Sequence, residues 1–240
     1  MVKLKILAFD STAKVASVAI SDGEKVLAHY NIDNGLTQSE LLLPMADELL
    51  RALKLGYPEI DAVACSVGPG SFTGVRIGVS LVKGIAFSKN IPCVEISTLE
   101  ALAENAAGLS GIVVPCMDAR RGQFYTAIFE STQYGITRLS EDEALSAAEL
   151  AKKLTEYKDR IIYIVGDGYS IAHKLLEGYG ATLAATPEAL IYQSAASIAK
   201  LAARKLARGE VISDRDISPT YLRVPQAERE RLERLNSTNN

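Results

Sequence analysis

The 240-residue chain is predicted to be an α/β protein of two duplicated halves, each a mixed sheet covered by helices. Three strand-like runs precede the first helical run, after which helices and strands alternate. A second strand-rich opening begins at Gly111. Asp10 and Asp118 each end the first strand of such an opening, and each is followed at the same offsets by an Ala-Ile pair, Ala19-Ile20 and Ala127-Ile128, a shift of 108 residues. The implied division is a first half at 1–108, a second at 109–225, and a charged, then polar, frayed tail at 226–240.

Local pattern supplies the elements. Residues 4–10, 15–21 and 25–31 are short strand-like runs, the last two joined by Asp22-Gly23, so they form a meander. Thr37-Gln38-Ser39-Glu40 matches a capping box and starts a helix, along which Leu41, Met45, Leu49 and Leu53 recur on one face. Pro44 falls early enough to bend it. Residues 60–66 read as a buried strand, 71–89 as a helix, 93–96 as a strand and 99–107 as a helix. In the second half, 111–117 and 123–130 read as strands, 144–157 as a helix, 161–165 as a strand, and 170–177 and 189–208 as helices. The pattern does not say which half the last, long helix serves.

The junction at 66–78 is the most informative stretch. An apolar strand stops at Gly68-Pro69-Gly70 and restarts at once as a helix that Ser71 or Thr73 can cap. A glycine turn opening a helix suits a phosphate, because the first helical N–H groups are unpaired. The spacing fits neither a dinucleotide fingerprint, since the glycine falls at Gly74 instead of Thr73, nor a P-loop, since no Gly-Lys-Ser/Thr follows. Close packing of strand and helix is therefore the preferred reading of these glycines over a phosphate cradle.

Composition narrows the function. A formal charge of −3 gives none of the basic excess expected of a protein that grips RNA by itself. Cys65, Cys93 and Cys116 sit in apolar runs without C-x-x-C spacing, which argues for buried reduced thiols and against disulfides or a zinc site. No signal peptide or eighteen-residue apolar run is evident, so a cytoplasmic location is expected.

The run from Ser66 to Gly78 resembles the S-x-G-P-G-S-F-T-G-x-R-x-G signature of the TsaB (YeaZ) family, bacterial partners in making threonylcarbamoyladenosine on tRNA. Phe9-Asp10-Ser11-Thr12, Met117-Asp118-Ala119-Arg120-Arg121-Gly122 and Pro219-Thr220-Tyr221-Leu222-Arg223 agree with the same family. The resemblance implies two RNase H-like halves of the actin, heat-shock chaperone and sugar-kinase (ASKHA) superfamily. It also implies pairing with the catalytic paralogue TsaD, work with the ATPase TsaE, contact with tRNA only through that complex, and self-association as a dimer when alone.

A catalytic centre is hard to assemble from these letters. Active members of the superfamily hold phosphates in two strand-turn-strand units, but the turns here, Asp10-Ser11-Thr12-Ala13-Lys14 and Asp118-Ala119-Arg120-Arg121-Gly122, depart from the usual Asp-x-Gly-Thr. Asp10, Thr12, Arg76, Asp118, Arg120 and Arg121 remain candidate nucleotide or anion contacts, with turn or cap duty favoured for the two aspartates. Gly68, Pro69, Gly70, Ser71, Thr73 and Gly74 are read as the structural loop. TsaD and its relatives use paired helical histidines as metal ligands, whereas His29 and His173 fall in different halves, so no metal or cofactor is expected. No catalytic residue is expected either. The rival readings are a sugar-kinase-like phosphotransferase, a metallopeptidase-like hydrolase, and a homodimer with a separate role. The two long N-terminal helices are apolar on more than one stripe, which neighbouring helices of the same chain or another subunit could cover; the family resemblance implies the second, a partner surface. Its candidates are Leu41, Leu42, Met45, Ala46 and Leu49 on the first helix, and Val75, Val79 and Val82 on the second.

Overall fold

The computed structural model describes residues 4–223; the tail expected at 226–240 lies outside the described residues. The first half runs β1 (Lys5–Asp10), β2 (Ala16–Asp22), β3 (Lys25–Ile32), α1 (Gln38–Leu53), β4 (Ala62–Ser66), α2 (Phe72–Lys89), β5 (Cys93–Ile96) and α3 (Thr98–Asn105). The second runs β6 (Gly111–Asp118), β7 (Gln123–Thr126), β8 (Phe129–Thr132), β9 (Gly135–Arg138) and β10 (Glu143–Ser146). It continues with α4 (Ala147–Leu154), β11 (Ile162–Val165), α5 (Tyr169–Glu177), β12 (Leu183–Ala184) and α6 (Ala195–Ala207). The sheets are ordered β3-β2-β1-β4-β5 and β10-β7-β6-β11-β12, with β8 also on β6 and β9 on β8. At each centre one strand pairs antiparallel with its hairpin partner and parallel with the next, β1 with β2 and β4, β6 with β7 and β11.

The duplication is architectural, but the D-x8-A-I match does not mark equivalent ladder positions. Ala8 pairs with Ala19, two residues before and nine after Asp10. Cys116 pairs with Thr126, eight after Asp118, and β7 ends there, leaving Ala127-Ile128 between β7 and β8. The β6–β7 turn is one residue tighter, so the two hairpins differ in register. The expected 123–130 strand breaks at the same place.

Strand alternation distributes the core. Leu7 and Phe9 of β1 face α1 and α2, while Ile6 and Ala8 face α6, whose Ala195, Ala199, Ala202 and Ala203 allow close approach. In β6, Ile112, Val114 and Cys116 face α4 and α5, while Val113 and Met117 pack against Leu99, Leu102 and Ala103 of α3. Packing therefore crosses the sequence boundary at 108/109: α3 covers the second sheet and α6 the first. Arg204 of α6 holds Glu104 of α3 through two 2.9 Å hydrogen bonds, with the Glu104 side chain 2% exposed.

The N-terminal helices correct the proposed partner contacts. The capping box forms as read, Thr37 with Glu40. On α1, however, Leu42, Met45, Ala46, Leu49 and Leu50 make one wide buried face at spacings of three and four, not two opposed stripes. On α2, Val75, Val79 and Val82 are likewise interior. Of the proposed contact residues only Leu41 is partly exposed, packed at the core's edge. Among the described residues no helix is long and apolar enough to cross a membrane.

Candidate functional site

The turns that leave β1 and β6 line a shared cleft of about 540 Å3 between the halves. Its other walls are the loop entering α2, Asp167 after β11, and residues 220–223 near the end of the described chain.

The signature loop seats the β1–β2 turn. Gly70, Gly74 and Gly78 recur every four residues and put bare backbone beside Ser11 and Thr12. A Cβ on Gly70 would lie 2.6 Å from the Thr12 carbonyl oxygen, one on Gly74 would meet the Ser11 carbonyl, and one on Gly78 the Ser11 Oγ. Ser71 N–H donates to the Thr12 carbonyl at 2.7 Å, and Ser11 Oγ–H donates to the Gly74 carbonyl at 2.8 Å. Ser71 caps α2 by accepting from Gly74 N–H, and Thr73 lies exposed at the cleft. Gly68, at φ +119°, precedes Pro69 and backs onto the Thr220 carbonyl. The second half repeats the device with Gly166 and Gly168 against the Cys116 carbonyl. The four-residue glycine spacing was the available sequence signal for this packing.

Asp10 does not reach the cleft. It is 1% exposed; Oδ1 accepts from Thr12 N–H at 2.8 Å and Thr12 Oγ1–H at 2.7 Å, while Oδ2 accepts from Ser66 Oγ–H at 2.8 Å. The carboxylate thus holds the turn, as an Asx residue does, and its proposed ligand contact is corrected. Thr12 lines the cleft but spends its hydroxyl on Asp10. Burial raises the Asp10 pKa despite these hydrogen bonds. The native protein then binds a proton at higher pH than the unfolded chain, so this contribution to stability is full below the ordinary aspartate value and is lost as pH rises through the raised one. Asp10→Asn is expected to flatten the dependence of the urea midpoint on pH in that window; an unchanged slope would place the titration elsewhere.

The second turn is exposed. Asp118 Oδ1 accepts from Arg120 N–H at 2.7 Å, and Asp118 N–H donates to Asp167 at 3.3 Å. Desolvation pushes Asp167 above the usual carboxylate range, opposed first by the hydrogen bond from Asp118 N–H and also by Lys14, while the Asp118 charge adds to the rise. Arg120 and Arg121 take left-handed angles, φ 60° and 55°, ahead of Gly122 at 72°, a conformation that costs non-glycine residues on the order of 1 kcal/mol each. Neither guanidinium has a hydrogen-bond or ion-pair partner among the described residues. Arg120 lines the cleft, and Arg121 stands exposed beside it.

Arg76 makes neither a salt bridge nor an open anion contact. Its guanidinium lies 3.8 Å from the Phe72 ring centroid, and its Nε–H donates to Tyr221 Oη at 2.8 Å. Phe72 and Tyr221 stack with centroids 5.0 Å apart. Lys14, Phe72, Tyr221 and Arg223 complete the cleft region from within the quoted motif stretches, without having been given a contact role, and Tyr125 and Asp167 join them without having been singled out from sequence. His29 is exposed on β3 and His173 sits on α5 beside Glu177, and no three His, Cys, Asp or Glu side chains cluster among the described residues. Burial pushes the Cys93 thiol up to about 11 and Cys116 to about 12, and raises Cys65 well above the usual value, so none is a ready thiolate.

The model of the TsaD family, tRNA N6-adenosine threonylcarbamoyltransferase, matches residues 37–230. The chain is similar to the tRNA threonylcarbamoyladenosine biosynthesis protein TsaB of Bacillus subtilis (strain 168), with 30% identity over 96% of this chain and 99% of that protein. It is 29% identical to TsaB of Escherichia coli (strain K12), over 92% of this chain and 95% of that one. A solved Pseudomonas aeruginosa structure, described as similar to peptidase YEAZ, superposes with a TM-score of 0.74 and 25% identity over 92% of this chain and 100% of that one. The TsaD match begins at Thr37, where α1 starts, whereas the B. subtilis alignment takes in 96% of this chain and 99% of that protein. On that mutual coverage, with the four motif stretches gathered at one cleft, the chain belongs to the TsaB (YeaZ) family of tRNA threonylcarbamoyladenosine biosynthesis proteins.

Proposed function

We propose that this chain is a non-catalytic scaffold subunit that pairs with TsaD and, with TsaE, supports threonylcarbamoyl transfer to the adenosine beside the tRNA anticodon. The carrying observation is the outer face of α1 and α2. With the core residues turned inward, this face presents Leu43 and Pro44 on α1 and Thr73, Ser80, Gly84 and Phe87 on α2. Phe87 is 74% exposed, and a Cβ on Gly84 would meet nothing. Small residues beside one large apolar side chain suit a partner helix at close range. The same face suits a second copy of this chain when TsaD is absent.

The non-catalytic role is supported by chemistry. A phosphotransferase of this architecture needs a free carboxylate at the first turn, and Asp10 is buried with both oxygens engaged by Thr12 and Ser66. The isolated protein is expected neither to turn over ATP nor to retain stoichiometric transition metal, checked by phosphate release and elemental analysis. Turnover that co-purifies and disappears in Asp10→Ala, or one zinc or iron per chain, would overturn the scaffold assignment. Capture of TsaD by the tagged protein, with loss of the tRNA modification on its depletion, tests the function itself.

A further inference from the structure

We propose that residues 219–223 are a strap fastening the two halves across the cleft, with Phe72, Arg76 and Tyr221 as its catch. After α6 the chain returns along the first half: Ile212 bridges to Cys93 at the sheet edge, Ile217 is fully buried, and Ser218 N–H donates to the Glu95 carboxylate. Thr220 N–H then donates to the Val67 carbonyl at 2.7 Å, and the Thr220 carbonyl fills the space that the missing Gly68 side chain leaves. Tyr221 stacks on Phe72 and its hydroxyl is held by Arg76, whose guanidinium lies over Phe72, so the two rings and the guanidinium form one closed cluster. Two residues later the Arg223 guanidinium donates to the Ala119 carbonyl at 3.1 Å, in the β6–β7 turn of the other half. The strap is therefore anchored on both sides of the cleft and forms part of its wall. Releasing the stack loosens the strap and opens the cleft, while both sheets stay folded and the α3–α6 contact through Glu104 and Arg204 still joins the halves. The inference is independent of any partner.

Two measurements on the full chain test it. Hydrogen exchange at the Thr220 amide is expected to accelerate about tenfold in Arg76→Ala and Tyr221→Ala, and less in Tyr221→Phe, which keeps the ring stack. The β1 and β4 amides should be unaffected. Spin labels on Ser88→Cys and Lys174→Cys, exposed on α2 and α5, should give one narrow distance distribution, broadened by Tyr221→Ala. An unchanged Thr220 amide, an acceleration shared by the β1 and β4 amides, or an unchanged distance distribution would each overturn the strap.

Discussion

Gly70→Val is expected to lower the unfolding free energy by about 3 kcal/mol or more, read as a fall in the urea midpoint. The reason is approach, not backbone angle. The position has no left-handed φ, but a Cβ there would lie 2.6 Å from the Thr12 carbonyl oxygen and 2.8 Å from the Thr12 Cβ. That turn is itself pinned by Ser71 N–H and by Asp10, so neither side can retreat cheaply. Arg76→Ala removes one exposed stack and one hydrogen bond and is expected to cost only about 1 kcal/mol. A Gly70 variant as stable as the parent but unable to bind a nucleotide or tRNA would mean the loop cradles phosphate after all.

Aspartate substitutions on α1 and α2 are expected to split into two classes. At Leu42, Met45, Ala46 or Leu49, each no more than 3% exposed, an unpaired charge enters the core at a cost of several kcal/mol and the chain should not fold. At Leu43, Gly84 or Phe87 the charge faces solvent in the free protein, so thermal melts should match the parent while capture of TsaD and self-association fall at least about tenfold. Sedimentation and co-purification distinguish these outcomes. Full pairing by every folded variant would place the interface elsewhere.

Sequence pattern located the elements whose signals are local. The Thr37–Glu40 box, the β4-to-α2 junction and the short β5 strand need only neighbouring residues to specify them. Tertiary context decided the others. Residues 144–146 look like the start of a helix, but with Glu143 they pair with β7, and Ser146 then caps α4 with Glu149. The long helix expected from 189 starts at Ala195, because the chain first makes a short turn at Glu188–Leu190 and lends the Ile191 carbonyl to Gly166 N–H. At the cleft, Thr12, Asp118 and Arg120 could be read as turn residues after apolar strands. Tyr221 could not, since its partners lie 145 residues away at Arg76 and in the ring of Phe72. The two-stripe reading of α1 failed because periodicity gives the width of an apolar face and not what covers it.

The exchange of α3 and α6 makes the two sheets mutually dependent. Cutting the chain between α3 and β6 would strip α6 from Ile6, Ala8, Ala19, Ala64 and Val94 in one fragment, and α3 from Val113, Met117 and Phe129 in the other. Each fragment would expose a sheet face that only the other can cover. The two halves therefore act as one unit: neither could be removed or exchanged for another module without supplying a replacement helix for the sheet left bare.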